Sequence, residues 1–140
     1  MKTIKKLLFA IALLISINSF SQDIITADGD TVANINSSGI VTNSLNQALG
    51  QISATGEVKN AEGVIIGNIV GQKFNNAAGT LIAESKMVGS VTQIIAVGGL
   101  VFATLESGNK IIENEEVVLR SSGSLSETHF IAYFFYFNNK

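Results

Sequence analysis

The 140-residue chain has no cysteine, no proline and no tryptophan, and its one histidine is His129. Each absence removes a class of chemistry. Without cysteine there is no disulfide framework, no thiolate zinc site and no thiol nucleophile. One histidine cannot build a multi-histidine metal centre, and no Gly-x-Ser-x-Gly element accompanies it. Without tryptophan there is no indole face to stack on a sugar ring. Charge is scarce as well, at 14% of residues. What remains is 46% hydrophobic, enough for a packed core in one small domain rather than a disordered tail.

The N-terminal stretch reads as a targeting segment. Lys2, Lys5 and Lys6 form a positive region, Leu7 to Ile17 an apolar one, and Ser19-Phe20-Ser21 offers small residues at the positions a signal peptidase reads. A membrane-spanning helix needs about 20 apolar residues, and this run is shorter. The expectation is a signal peptide over 1–21 and a single β-repeat domain over 22–140, exported to the periplasm, the cell surface or the medium. Residues 22–140 carry six Lys and Arg against eleven Asp and Glu, a net charge of −5. An acidic chain without a basic cluster argues against nucleic acid and anionic lipid as partners. No membrane span is expected after cleavage.

Self-similarity organises the rest. Ile24, Val41 and Val58 are spaced by 17, as are Val32, Leu49 and Ile66, then Ala33, Gly50 and Gly67, then Ile35, Ile52 and Ile69. One residue is lost before Phe74, which aligns with Val58 as Ile82 does with Ile66. Val91 then opens a fifth unit, swollen by an apolar insertion from Ile94 to Gly99, and a degenerate sixth runs from Ile111 to Val118. Each unit reads as two short strands joined by turns such as Asp28-Gly29-Asp30 and Ala61-Glu62-Gly63. Alternation places Leu49 and Gly50 on opposite faces, with Ile52 beside Gly50. Seventeen residues are too few for a four-stranded propeller blade, and one unit cannot bury its own apolar face. The small column Ala33, Gly50, Gly67 and Ala83 suggests a crowded axis.

Six of the ten aromatic residues lie between Phe130 and Phe137. That continuous run fits a strand covered on both faces and sealing the array. No helix is expected after the leader. The fold class is therefore all-β: hairpin repeats of about 17 residues arranged radially, propeller-like, or as a small solenoid, closed by an aromatic C-terminal strand.

The string Thr42-Asn43, Leu49-Gly50-Gln51-Ile52 and Gly56-Glu57-Val58-Lys59-Asn60, with the Phe130–Phe137 ending, resembles the small exported five-fold β-flower proteins of Bacteroidetes-type bacteria. The resemblance covers about Ile24 to Phe137 and implies a radial array of hairpins. It brings no activity that could be carried over to residues here.

Candidate chemistry is thin. His129 with Glu127 could form a histidine–carboxylate pair, or be a half-exposed residue at a strand start. Asp23, Asp28 and Asp30 could offer oxygens to calcium, but the distal bidentate glutamate is missing and Asp-Gly-Asp is an ordinary turn. Glu113, Glu115 and Glu116 form the densest acidic cluster, and two carboxylates about 5–9 Å apart suit glycoside hydrolysis. Asn43, Asn60, Asn76 and Gln93 recur in one column, either as a ligand ladder or as caps on turn backbones. No residue is therefore assigned as catalytic, cofactor-binding or metal-ligating, and no cofactor is expected. The expected function is an exported non-catalytic β-repeat protein, structural or binding, with a cell-surface protein or glycan as partner. The alternatives are a secreted glycan hydrolase using the acids near 113–116, and a self-assembling fibre or adhesin subunit.

Overall fold

The computed structural model describes residues 21–123 and 125–138, so the leader expected over 1–21 lies outside the described residues except at Ser21. Twelve antiparallel strands form a closed barrel in which every strand pairs with its sequence neighbours and the first pairs with the last. They are β1 (Gln22–Thr26), β2 (Thr31–Ile35), β3 (Ile40–Asn43), β4 (Ala48–Ile52), β5 (Glu57–Asn60) and β6 (Ile65–Val70). Then follow β7 (Lys73–Asn76), β8 (Leu81–Val88), β9 (Val91–Ala96), β10 (Val101–Glu106), β11 (Lys110–Glu113) and β12 (Glu116–Ser121). The expected all-β array of two-strand units is there, and the units number six. Each unit is one hairpin, and the hairpins stand around a common axis as staves rather than stacking as a solenoid.

A recurring bulge curls this sheet. In every unit the second strand carries one unopposed residue at the same repeat position: Val32, Leu49, Ile66, Ile82, Phe102 and Val118. A bulge bends its strand and sharpens the right-handed twist, so six of them around the ring turn the sheet back on itself. It also breaks simple alternation. Leu49 was expected on the face opposite Gly50, yet it packs against the same core, because the bulge turns both residues inward. Ile52 shares the inner face with Gly50, as expected, and is 1% exposed.

The aromatic ending is not a closing strand. It is a helix, α1 (Glu127–Tyr136), and this corrects the expectation that the mature chain holds none. Phe130, Ile131, Ala132, Tyr133 and Phe134 are all buried. Five consecutive residues advance more than a full helical turn, so α1 is enclosed on every side and must occupy the barrel lumen. The reason is hydrogen bonding. A closed barrel offers no edge for a thirteenth strand, so a segment inside it must pair its own N–H and C=O groups. Only a helix does that, whatever the β preference of Phe, Tyr and Ile. Ser126 starts it, its Oγ accepting from the His129 N–H at 3.2 Å.

Small residues make the room. An added Cβ at Gly67 would fall 2.6 Å from Tyr136 Cζ and 2.8 Å from the Asn75 carbonyl oxygen. One at Gly50 would fall 2.6 Å from the Phe137 ring and collide with the Lys59 carbonyl oxygen. The crowded axis is thus a barrel wall pressed on a central helix, not a meeting of backbones. Tyr136 donates to the Asn75 carbonyl at 2.7 Å, and Phe135 lies 5.5 Å from Phe74, ring centre to ring centre.

The insertion also sits elsewhere than expected. Ile94 faces Ala103 as Phe74 faces Ala83 and Val58 faces Gly67, so Ile94, not Val91, is the fifth-unit counterpart of Phe74. The extra residues lengthen the β8–β9 hairpin, adding the pairs Lys86↔Gln93, Met87↔Thr92 and Val88↔Val91.

Candidate functional site

The two ends of the barrel differ in their turns. At one end lie the turns inside each unit, and at the other the links between units. Most within-unit turns are held by one side chain. Asn43 Oδ1 accepts from the N–H groups of Leu45 and Gln47, Asn60 Oδ1 from Glu62 and Val64, and Asn76 Oδ1 from Ala78 and Thr80, all at 2.9–3.0 Å. The amide column therefore caps turns, the structural of its two expected roles. Gln93 is not in it. Because of the lengthened hairpin Gln93 lies within β9, and Ala96 takes the turn position, receiving the Gly99 N–H on its carbonyl.

Asp28 and Asp30 lie in the β1–β2 turn, where the Asp30 N–H donates to Thr26 Oγ1 at 3.2 Å. Asp23 belongs to the far end of the same hairpin, paired with Asn34. Among the described residues no group of three or more His, Cys, Asp or Glu side chains could hold a metal ion.

His129 stands in the first turn of α1, not at a strand start, with its Nδ1 2.6 Å from Ser126 Oγ. Its neighbours around a shallow cavity are Ser53, Thr55, Gly56 and Gly71, from the between-unit links. Glu127 turns away to accept a hydrogen bond from Thr92 Oγ1 at 3.1 Å. Glu113 and Glu116 pair across a two-residue turn in which Asn114 and Glu115 have φ of 52° and 68°. That turn is at the opposite end from His129, so the three side chains do not converge.

One between-unit seam, β10–β11, differs from the other five in register. Between successive units, the small residue of one normally pairs with the end of the next first strand: Ala33↔Asn43, Gly50↔Asn60, Gly67↔Asn76 and Ala83↔Ala96. The corresponding pair across the closure is Thr26↔Leu119. At the β10–β11 seam the three pairs are shifted by one residue, to Thr104↔Ile112, Leu105↔Ile111 and Glu106↔Lys110. The sixth unit's tight two-residue turn takes the end of β11 toward β12, where Glu113 pairs with Glu116.

An open groove of about 740 Å³ lies along this seam. One wall is Leu100 to Thr104 with Glu106, the other Ile112 to Glu115. Thr104, Glu106 and Ile112 alternate with the buried Ala103, Leu105 and Ile111, so the groove is on the outside of the barrel. Leu100 is 69% and Val101 41% exposed along its rim. Phe102 lines it too, and that ring also packs on the plug, 6.1 Å from Phe134 and 5.4 Å from Phe135. Sequence reasoning singled out Glu113 and Glu115 but missed Leu100, Val101 and Glu106. The available clue was that the fifth and sixth units depart from the repeat.

The fold and site define a twelve-stranded antiparallel barrel plugged by its own C-terminal helix, with one groove along the β10–β11 seam. The chain matches no family model, no curated protein and no solved structure.

Proposed function

We propose that this protein is exported by its N-terminal leader and works outside the cytoplasm as a non-catalytic binding scaffold. The observation that carries the reading is the filled lumen. A barrel of this many strands has room inside for a ligand. Here α1 takes that room with Phe130, Ile131, Tyr133 and Phe134, which are 0–7% exposed. Working surfaces are then the turns and the outer wall. Separation of His129 from Glu113 and Glu116 supports the non-catalytic part. Among the described residues no helix is long and apolar enough to cross a membrane.

Kinship with the five-fold β-flower proteins belongs to the same proposal and rests on the hairpin motif. Ring closure argues against a fibre subunit that grows by edge pairing, since a closed sheet offers no edge strand. The test is fractionation of a bacterium of that group expressing the tagged full chain, with N-terminal sequencing of the product. Recovery outside the cytoplasm with Gln22 at the N-terminus is expected. An uncleaved cytoplasmic product would overturn the reading.

A further inference from the structure

We propose that copies of this protein stack head to tail, the within-unit turns of one barrel resting on the between-unit links of the next. The inference adds self-assembly to the scaffold reading and does not depend on export. It begins with where the barrel exposes large apolar side chains. At the turn end these are Leu45, Val64, Ile65, Val97, Leu100 and Val101, each in a within-unit turn or on the strand residue next to one. At the link end they are Ile40, Val70, Met87 and Val88. Among the described residues no other large apolar side chain is exposed, so the middle of the outer wall has none. Leu45 is 75% and Met87 63% exposed, and such side chains gain by leaving water. Apolar surface gathered at both ends, with a polar wall between them, marks the ends as the places of contact.

Charge decides which ends meet. Asp28, Asp30, Glu62, Glu115 and Glu116 stand in or beside the within-unit turns, and no Lys or Arg lies in those turns. Of the five described cations, Lys59 is engaged by Glu57 at 2.8 Å and the other four are at the link end. Lys73 pairs with the exposed Val70, Lys86 precedes Met87, and Lys110 faces Arg120 across β11 and β12. The link end also holds Asp23, Glu57, Glu84, Glu106 and Glu127, so its charges nearly balance, whereas those of the turn end do not. Turn against turn sets one acidic surface on another, and link against link gathers the cations of two copies at one contact. Turn against link covers apolar residues on both sides and brings carboxylates toward Lys73 and Lys86. A contact between two different surfaces leaves one of each free, so stacking continues into open rows. It needs no strand edge, in keeping with the closed sheet.

The test is sedimentation velocity on the untagged full chain, purified from the same bacterium and run over a concentration series. Species larger than one chain, growing with concentration, are expected. Leu45→Ser with Leu100→Ser alters the turn end, and Met87→Ser with Val88→Thr the link end; either pair should leave the chain single. Mixing the two variants is the discriminating step. Each keeps the end that the other lacks, so a complex of two chains and no more should form. Lys73→Glu with Lys86→Glu should weaken association by about tenfold. Asn68→Lys, on the exposed middle of β6, should associate as the unaltered chain does. Unchanged melting of each variant keeps a folding defect from passing for lost contact.

A chain that stays single at every concentration would overturn the proposal and leave both ends to a different protein. So would association that no end variant weakens, a loss at Asn68→Lys equal to theirs, or a mixture that stays single. A link-end variant that pairs as the unaltered chain does would overturn it too, by showing turn ends meeting face to face. An exported chain that stays single keeps the scaffold reading and loses the stack. A cytoplasmic chain that stacks keeps the stack and loses export.

Discussion

The first four hairpins and the last two use the same plan under different constraints. In the first four, residues 22–88, each second strand sets a small residue beside a bulged apolar one, and all four turns are capped by one side chain, Thr26, Asn43, Asn60 or Asn76. Two of these hairpins meet the C-terminal end of the plug through glycine, Gly50 at Phe137 and Gly67 at Tyr136. In the fifth hairpin a bulky Phe102 takes the bulge position and reaches the plug itself. In the sixth, Leu119 stands where the others have Ala or Gly. In the fifth unit Ala96, which has no side-chain oxygen, takes the capping position, the β8–β9 hairpin lengthens, and the β10–β11 pairs shift by one residue. The plug meets both regions, but through glycines in the first and through a large ring and a hydroxyl, Phe102 and Thr92, in the second.

The largest effect should come from removing the plug. A chain ending at Ser126 loses Phe130, Ile131, Tyr133 and Phe134 from the core. At about 2–3 kcal/mol for each large buried side chain, that approaches the whole stability of an ordinary domain, about 5–15 kcal/mol. Urea titration followed by circular dichroism should show no cooperative transition. A sharp, native-like transition would mean that the wall stands without its helix.

Two glycines separate the regions next. Gly67→Val should cost about 3 kcal/mol or more in chemical denaturation, because its side chain would run into Tyr136 and the Asn75 carbonyl. Gly98 in the fifth-unit turn has open space around it but a φ of 99°. Gly98→Ala should therefore cost only about 1–2 kcal/mol, through backbone conformation alone. Equal costs at the two sites would erase the distinction between a wall under pressure and a free turn.

Turn capping gives the smallest contrast. Asn60→Ala removes acceptors for the Glu62 and Val64 N–H groups and should cost about 1–2 kcal/mol. Gln93→Ala removes no turn cap and should stay within about 0.5 kcal/mol in the same denaturation assay. A larger loss at Gln93 would restore it to the amide column.

Much of the wall could be read from residue spacing. Hairpin positions, the inner column Ile24, Val41, Val58 and Phe74, and the turn role of Asn43, Asn60 and Asn76 all follow from period and turn chemistry. The helix could not. Phe130 to Phe137 is composed of residues that favour strands, and what makes it helical is enclosure by a ring already fully paired. Ser126 is of a residue type that caps helices, but one such residue counts for little against eight β-forming or small ones. The bulges were hidden for a related reason: Leu49 and Gly50 look like alternation until the register of β3 against β4 is known. Gln93 misled because a lengthened hairpin can be placed on either side of an apolar stretch, and only Ile94↔Ala103 decides. The groove was illegible in outline, since it lies between β10 and β11, whose register residue spacing does not give.

The central claim is that the barrel closes around α1, and its two tyrosines can report on that directly. Tyr133 and Tyr136 are the only tyrosines in the chain, and there is no tryptophan to obscure their absorbance. Burial raises the pKa of Tyr133 above 10.0. Burial also pushes Tyr136 up to about 12, against the opposing effect of its hydrogen bond to Asn75. A phenol is neutral when protonated, so the folded chain holds protons that the unfolded chain releases from about pH 10 upward. Stability from this source is complete below pH 10 and falls as pH rises toward 12. The decisive measurement is an ultraviolet phenolate titration run beside circular dichroism, with Tyr133→Phe and Tyr136→Phe to assign the two steps. Neither phenol should ionise at its ordinary value while the barrel is intact, and Tyr136 should titrate late or only as the fold is lost. Two phenols ionising near pH 10 in a fully folded chain would place α1 outside the barrel and contradict the account.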